Sequence, residues 1–148
     1  MRNIDKIIIH CSDSDFGDAA VIHEWHLQRG FSKIGYHYVI TNCYKTYKSL
    51  KDRTPDIIND GTIEYGRSVG EVGAHCMGEN ANSLGICLAG VNTFTAAQLK
   101  TLFKLLKNLC NEYSLSVENI YGHYEFSSKK SCPNMDMDFI RDQFKATL

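Results

Sequence analysis

The sequence predicts a single α/β domain, with a central mixed β-sheet flanked by helices. Three observations carry this. Short apolar or β-branched runs alternate along the chain with longer amphipathic stretches. The 148 residues, 43% of them hydrophobic, suffice to close one real core. Neither an internal repeat nor a linker-like segment divides the chain, so residues 1–148 read as one unit.

The elements follow in order. Lys6-Ile7-Ile8-Ile9-His10 is short, apolar and β-branched, and the turn-like Cys11-Ser12-Asp13-Ser14-Asp15 follows it. It reads as a buried strand that delivers His10 to the edge of a sheet. From Asp18 to Arg29 apolar residues recur at 21, 22 and 25 with Gly30 as a stop, which predicts an amphipathic helix capped at or just before Asp18. Tyr36 to Thr41 is a second strand, entered through Gly35. Residues 42–60 are polar and lysine-rich, contain Pro55 and lack core periodicity, so they are expected to form a surface insertion. A short strand resumes over Gly61–Tyr65 after the Asp60-Gly61 turn. Residues 66–82 form a loop that lines a cleft, and Ser83–Ala89 is the most apolar strand. Thr95 opens a helix whose broad apolar face holds Leu99, Leu102, Phe103, Leu105, Leu106 and Leu109. Ile120 to His123 leads out of the packed region, and Asp136 or Asp138 caps a last helix.

Composition excludes several classes. Sixteen basic and seventeen acidic residues give a formal charge of −1, so neither nucleic acid nor an acidic membrane is an expected partner. No apolar run approaches the ~18 residues of a membrane span. The run Ile7–Ile9, with Ile4 nearby, is too short for a signal peptide, so synthesis and folding in a cytoplasm are expected. The six cysteines contain no C-x-x-C pair, and a chain of this length needs no disulfide staples. Cys87 and Cys110 lie in apolar runs and read as small buried hydrophobes. Cys132, in a polar loop before Pro133, is the cysteine to expect in chemistry.

One stretch concentrates reactive groups: Gly122-His123-Tyr124-Glu125-Phe126-Ser127-Ser128-Lys129-Lys130-Ser131-Cys132-Pro133. His123 and Cys132 are too far apart to share a helical turn, so a loop must bring them together. His10 is the natural third member. Two imidazoles and one thiolate around an open fourth position describe a catalytic zinc. On the residues alone Cys132 is equally readable as an ordinary loop thiol. His23 and His26 stand one turn apart but lack the i, i+4 spacing of a zinc-binding helix, so packing or helix-surface hydrogen bonds are their expected use. His37, between two aromatics, reads as a satisfied structural histidine.

Five segments then occur in register: Ile8-Ile9-His10-Cys11-Ser12, Gly35-Tyr36-His37-Tyr38-Val39-Ile40, Val72-Gly73-Ala74-His75, Asn80-x-x-Ser83-Leu84-Gly85-Ile86, and Gly122-His123 with Cys132-Pro133. Together they resemble the zinc-dependent type-2 N-acetylmuramoyl-L-alanine amidases, which include amidase-type phage lysozymes and animal peptidoglycan recognition proteins. The resemblance covers nearly all of residues 4–135 and implies an α/β fold with zinc at one edge of the sheet, in an open cleft. It implies one zinc per chain on His10, His123 and Cys132, catalytic assistance from Tyr36 and Lys130, and substrate contact by His75. The implied reaction is hydrolysis of the amide between N-acetylmuramic acid and the L-alanine of the stem peptide, in peptidoglycan or muropeptides. A phage or prophage endolysin reaching the wall through a pore is the expected setting. The alternatives are a non-catalytic peptidoglycan-binding module, against which Cys132 speaks, and a muropeptide-recycling amidase. Some phage lysozymes of this kind also bind the phage RNA polymerase, a partner on which this sequence is silent. The departure from the family is the 42–60 insertion, where a tight turn is usual; it bears on one cleft wall and on substrate preference.

Overall fold

The computed structural model describes residues 2–148. Five strands form one sheet: β1 (Lys6–Cys11), β2 (Tyr38–Ile40), β3 (Ile63–Tyr65), β4 (Ser83–Leu88) and β5 (Ile120–Gly122), in the spatial order β3-β2-β4-β1-β5. β1 pairs in parallel with β4 and β5, β4 pairs in parallel with β2, and β3 runs antiparallel to β2. The sheet is thus mixed, as expected. The second strand is shorter than its sequence suggested, because Tyr36 and His37 precede the regular ladder. Ile120–Gly122, read from sequence only as an exit segment, is the edge strand beside β1.

Three helices lie between strands, α1 (Ala19–Gln28), α2 (Tyr47–Lys51) and α3 (Ala96–Tyr113), and α4 (Met137–Ala146) follows the last one. Their starts follow capping chemistry. Asp18 accepts the Val21 amide at 2.9 Å. Thr95 and Gln98 close a reciprocal capping box on α3, each side chain accepting the other's backbone N–H at 3.0 Å. Of the two aspartates considered for α4, Asp136 is the cap, accepting the amides of Asp138 and Phe139.

Strand alternation sorts side chains onto two faces. Ile7 and Ile9 of β1, Tyr38 and Ile40 of β2, Leu84, Ile86 and Leu88 of β4, and Ile120 of β5 join Leu102, Leu106, Leu109, Ile140 and Phe144 in the main core. The opposite face carries a smaller cluster: Ile22, Ile34, Val39 and Cys87, with Trp25 and Tyr36 against it. His10, Ser83 and Gly85 alternate onto this second face. Among the described residues no helix is long and apolar enough to cross a membrane.

Residues 42–60 contain α2 and a single 3-10 turn over Ile57–Asn59. No described residue of this segment enters either apolar cluster, and Ile58 is 93% exposed. Polar contacts tie it down: the Asn42 amide donates to the Asp15 carbonyl at 2.9 Å, and the Thr41 hydroxyl to the Asn59 carbonyl at 2.6 Å. The Tyr47 ring also stands edge-on to Phe16, with centroids 5.7 Å apart.

Candidate metal centre

His10 is the penultimate residue of β1, on the face served by α1, and is 1% exposed. His123 follows the last residue of β5, and Cys132 returns in the loop before α4. One ligand atom from each of these three residues lies within 4.8 Å of the other two; it is the only such group of His, Cys, Asp or Glu among the described residues. The parallel pairing of β1 with β5 sets the first two side by side, with ring centroids 4.6 Å apart.

The loop that carries Cys132 is fastened from several sides. The Tyr124 amide donates to the Cys132 carbonyl at 3.0 Å. Gly122 lets the loop approach β5 closely: a Cβ there would lie 2.6 Å from Met137 Cγ and 3.0 Å from Pro133 Cδ. Glu125 accepts the Gly122 N–H at 2.9 Å, and Arg141 of α4 grips both Glu125 oxygens at 2.8 and 3.1 Å. The sulfur of Cys132 accepts the Cys11 amide at 3.2 Å.

The donors suit a soft-to-borderline divalent ion such as zinc. Burial, and next the charge of His75, hold His10 well below the ordinary imidazole value, and burial with nearby Lys130 lowers His123. Both imidazoles are therefore neutral at neutral pH and keep a lone pair. The adjacent Cys11 side chain and burial push the Cys132 thiol up in the bare protein. A cation at the cluster would oppose both effects and favour the thiolate. His123 and Cys132 are only partly buried and Lys130 is exposed, so the cluster opens to solvent on their side.

Tyr36 lies on the inner wall, its ring centroid 5.0 Å from that of His10 and 5.3 Å from that of His26. Burial first, then nearby thiols, raise the phenol well above its usual value, so it remains a hydrogen-bond donor. The chain enters Tyr36 through a turn whose amides both end on α1. Ile34 donates to His23 Nδ1 at 3.1 Å and Gly35 to His26 Nδ1 at 2.9 Å. The two α1 histidines thus position the tyrosine and form no metal pair. His37, just before β2, is satisfied within the protein, its Nδ1 accepting the Gly85 amide at 3.0 Å and its Nε2 facing the Glu71 carbonyl at 2.8 Å.

His75 is 8% exposed and sits behind His10. Its Nδ1 is 2.8 Å from His10 Nε2 and its Nε2 is 3.2 Å from Ser83 Oγ, so both ring nitrogens already have partners inside the protein. Burial lowers its pKa to about 3. Sequence reasoning gave Ser83, Glu125 and Arg141 no role of their own. The one available signal was Gly85, a lone glycine inside an apolar strand, which marks a place where something packs close to the backbone.

Comparison with known proteins agrees with this geometry. The family model for N-acetylmuramoyl-L-alanine amidase matches residues 1–135. The endolysin of Escherichia phage T7 is 33% identical over 147 residues, spanning 92% of this chain and 84% of its own. That of Enterobacteria phage T3 is 32% identical over 144 residues, spanning 90% and 82%. The solved N-acetylmuramoyl-L-alanine amidase LysC from Clostridium intestinale superposes with a TM-score of 0.78 at 28% identity, covering 99% of this chain and 85% of that one.

Proposed function

The chain belongs to the N-acetylmuramoyl-L-alanine amidase family as a phage-type enzyme, and we propose that it works with one zinc ion held by His10, His123 and Cys132. The convergence of these three side chains, from the first strand, the last strand and the loop after it, is the observation that carries the metal reading. The substrate is peptidoglycan or its soluble muropeptides, and the bond cut is the amide joining the lactyl group of N-acetylmuramic acid to L-alanine. Water adds to the amide carbonyl, the C–N bond breaks, and the products are a carboxylate and a free amine.

A zinc ion on these ligands supplies Lewis acidity toward the scissile carbonyl and the attacking water near neutral pH. The protein's own groups do the rest. Lys130 holds an ammonium on the open side of the cluster and stabilises negative charge as it develops on the former carbonyl oxygen; one such donor is worth ~3 kcal/mol. Tyr36, kept protonated by its burial, is assigned to orient the attacking water or the oxyanion and to pass a proton to the leaving amine. His10 and His123, both neutral, serve as donors to the ion and take no part in proton transfer.

Two measurements test this together. Metal analysis of the purified protein should find one zinc per chain, and mass analysis of digested peptidoglycan should find stem peptides with a free N-terminal alanine. Cleavage between sugars, or within the peptide, would overturn the assignment of the bond.

A further inference from the structure

His75 contributes no ligand atom to the cluster, yet it is buried directly behind it. Its ring occupies a slot between two glycines. A Cβ on Gly85 would come within 2.7 Å of His75 Cγ, and one on Gly73 within 2.6 Å of His75 Cδ2. Neither position tolerates a side chain without displacing the ring. The His75 amide is anchored too, donating to Asn80 Oδ1 at 2.9 Å.

The slot fixes which nitrogen of His10 is available. His10 Nε2 is 2.8 Å from His75 Nδ1, so one hydrogen lies between them and only Nδ1 of His10 remains to face the cluster. Two neutral arrangements satisfy that contact. In one, His75 donates and the His10 proton sits on Nδ1, where it blocks ligation. In the other, His10 donates from Nε2 and its Nδ1 lone pair is free. The second arrangement places the His75 proton on Nε2, where Ser83 Oγ, 3.2 Å away and fully buried, accepts it. Without His75, the Nε2–H of a ligating His10 would be buried with no acceptor, which opposes metal binding. We infer that His75, backed by Ser83, is a positioning residue that holds His10 in the Nε2–H tautomer and aims Nδ1 at the metal.

This inference rests on the zinc reading of the site, and its test separates the two. Zinc affinity is measured by competition with a chromophoric chelator. The His10 tautomer is read from long-range proton–nitrogen correlation spectra of the imidazoles, with and without zinc. The wild type is expected to bind one zinc with His10 protonated on Nε2. His75→Ala should weaken zinc binding roughly tenfold to a hundredfold, as loss of a partner behind a metal ligand usually does. His75→Gln, whose side-chain carbonyl can still accept, should recover most of that loss, and Ser83→Ala should cost several-fold. A wild type that takes up no zinc overturns the metal reading and this inference with it. A wild type that binds zinc beside a His75→Ala variant that binds it equally well, with unchanged His10 signals, overturns this inference alone. Should His75→Ala not fold, unchanged affinity and tautomer in both His75→Gln and Ser83→Ala overturn it.

Discussion

On one face of the sheet Leu84, Ile86 and Leu88 of β4 pack with Ile7 and Ile9 against α3 and α4; on the other, the alternate residues Ser83, Gly85 and Cys87 lie among histidines. The same strands thus serve two purposes at a spacing of one residue. The first face buries long aliphatic side chains and supplies most of the hydrophobic stabilisation. The second gives up apolar burial for a layer of imidazoles, His10, His37 and His75, each held by hydrogen bonds. Stability and chemistry are assigned to opposite sides of a single sheet, so they can be perturbed separately.

Mutations on the two faces should show that separation. The largest effect on activity is expected from Cys132→Ser, because a hydroxyl is a far poorer ligand than a thiolate. Zinc content and amidase activity should fall together while thermal unfolding of the metal-free protein stays unchanged. An active Cys132→Ser enzyme with full zinc would break the ligand assignment. Next comes Lys130→Ala, which should keep zinc and fold but lower kcat roughly a hundredfold with KM little changed. Wild-type turnover in that variant would remove Lys130 from the oxyanion role.

The converse change lies on the other face. Leu106→Ala, at a fully buried position of α3, should cost about 2–5 kcal/mol of stability, measured by denaturant unfolding. Turnover per folded molecule should be unchanged; a loss in kcat would show that the two faces are coupled.

Acid should act through the histidine face. Burial, and next Arg29, lower His26 from 6.5 to about 4, so the folded state prefers the neutral ring. Its contribution is complete above pH 6.5 and is lost as pH falls from there toward 4, since the unfolded chain takes up the proton first. Stability of the metal-free protein should decline across that window, and His26→Gln should flatten the decline. The smallest effect is expected from replacing residues 45–57 by a short Gly-containing turn. Loop length changes stability by only ~0.6 kcal/mol per doubling, so cooperative unfolding should persist. Its loss would show that this segment supports the core.

Much of the apolar face is legible in the sequence. The leucines of α3 recur at helical spacing, and β1 and β4 announce themselves as short apolar runs. The resemblance to known amidases also pointed to the three residues that converge in the structure, because His10, His123 and Cys132 each sit in a recognisable segment. Less legible was what stands behind the ligands. Nothing local to Ser83 or Arg141 indicates that one backs His75 and the other steadies the Cys132 loop through Glu125, since both roles depend on contacts far along the chain. β5 escaped for a related reason. Three residues carry too little periodicity, and its strand character comes from pairing with β1.

The sheet order has a consequence for synthesis. β1 is made first and sits beside β5, which is made last among the strands, while the loop that brings Cys132 is fastened by α4. A chain still emerging from the ribosome can present His10 with β1 exposed along one side before either His123 or Cys132 is in place. The apolar face can begin to pack as soon as α3 is available, whereas the His10–His123–Cys132 cluster waits until β5 and the loop before α4 have been made. A nascent chain that stops short of Cys132 therefore lacks part of the cluster and should be catalytically silent, however well its apolar face has packed.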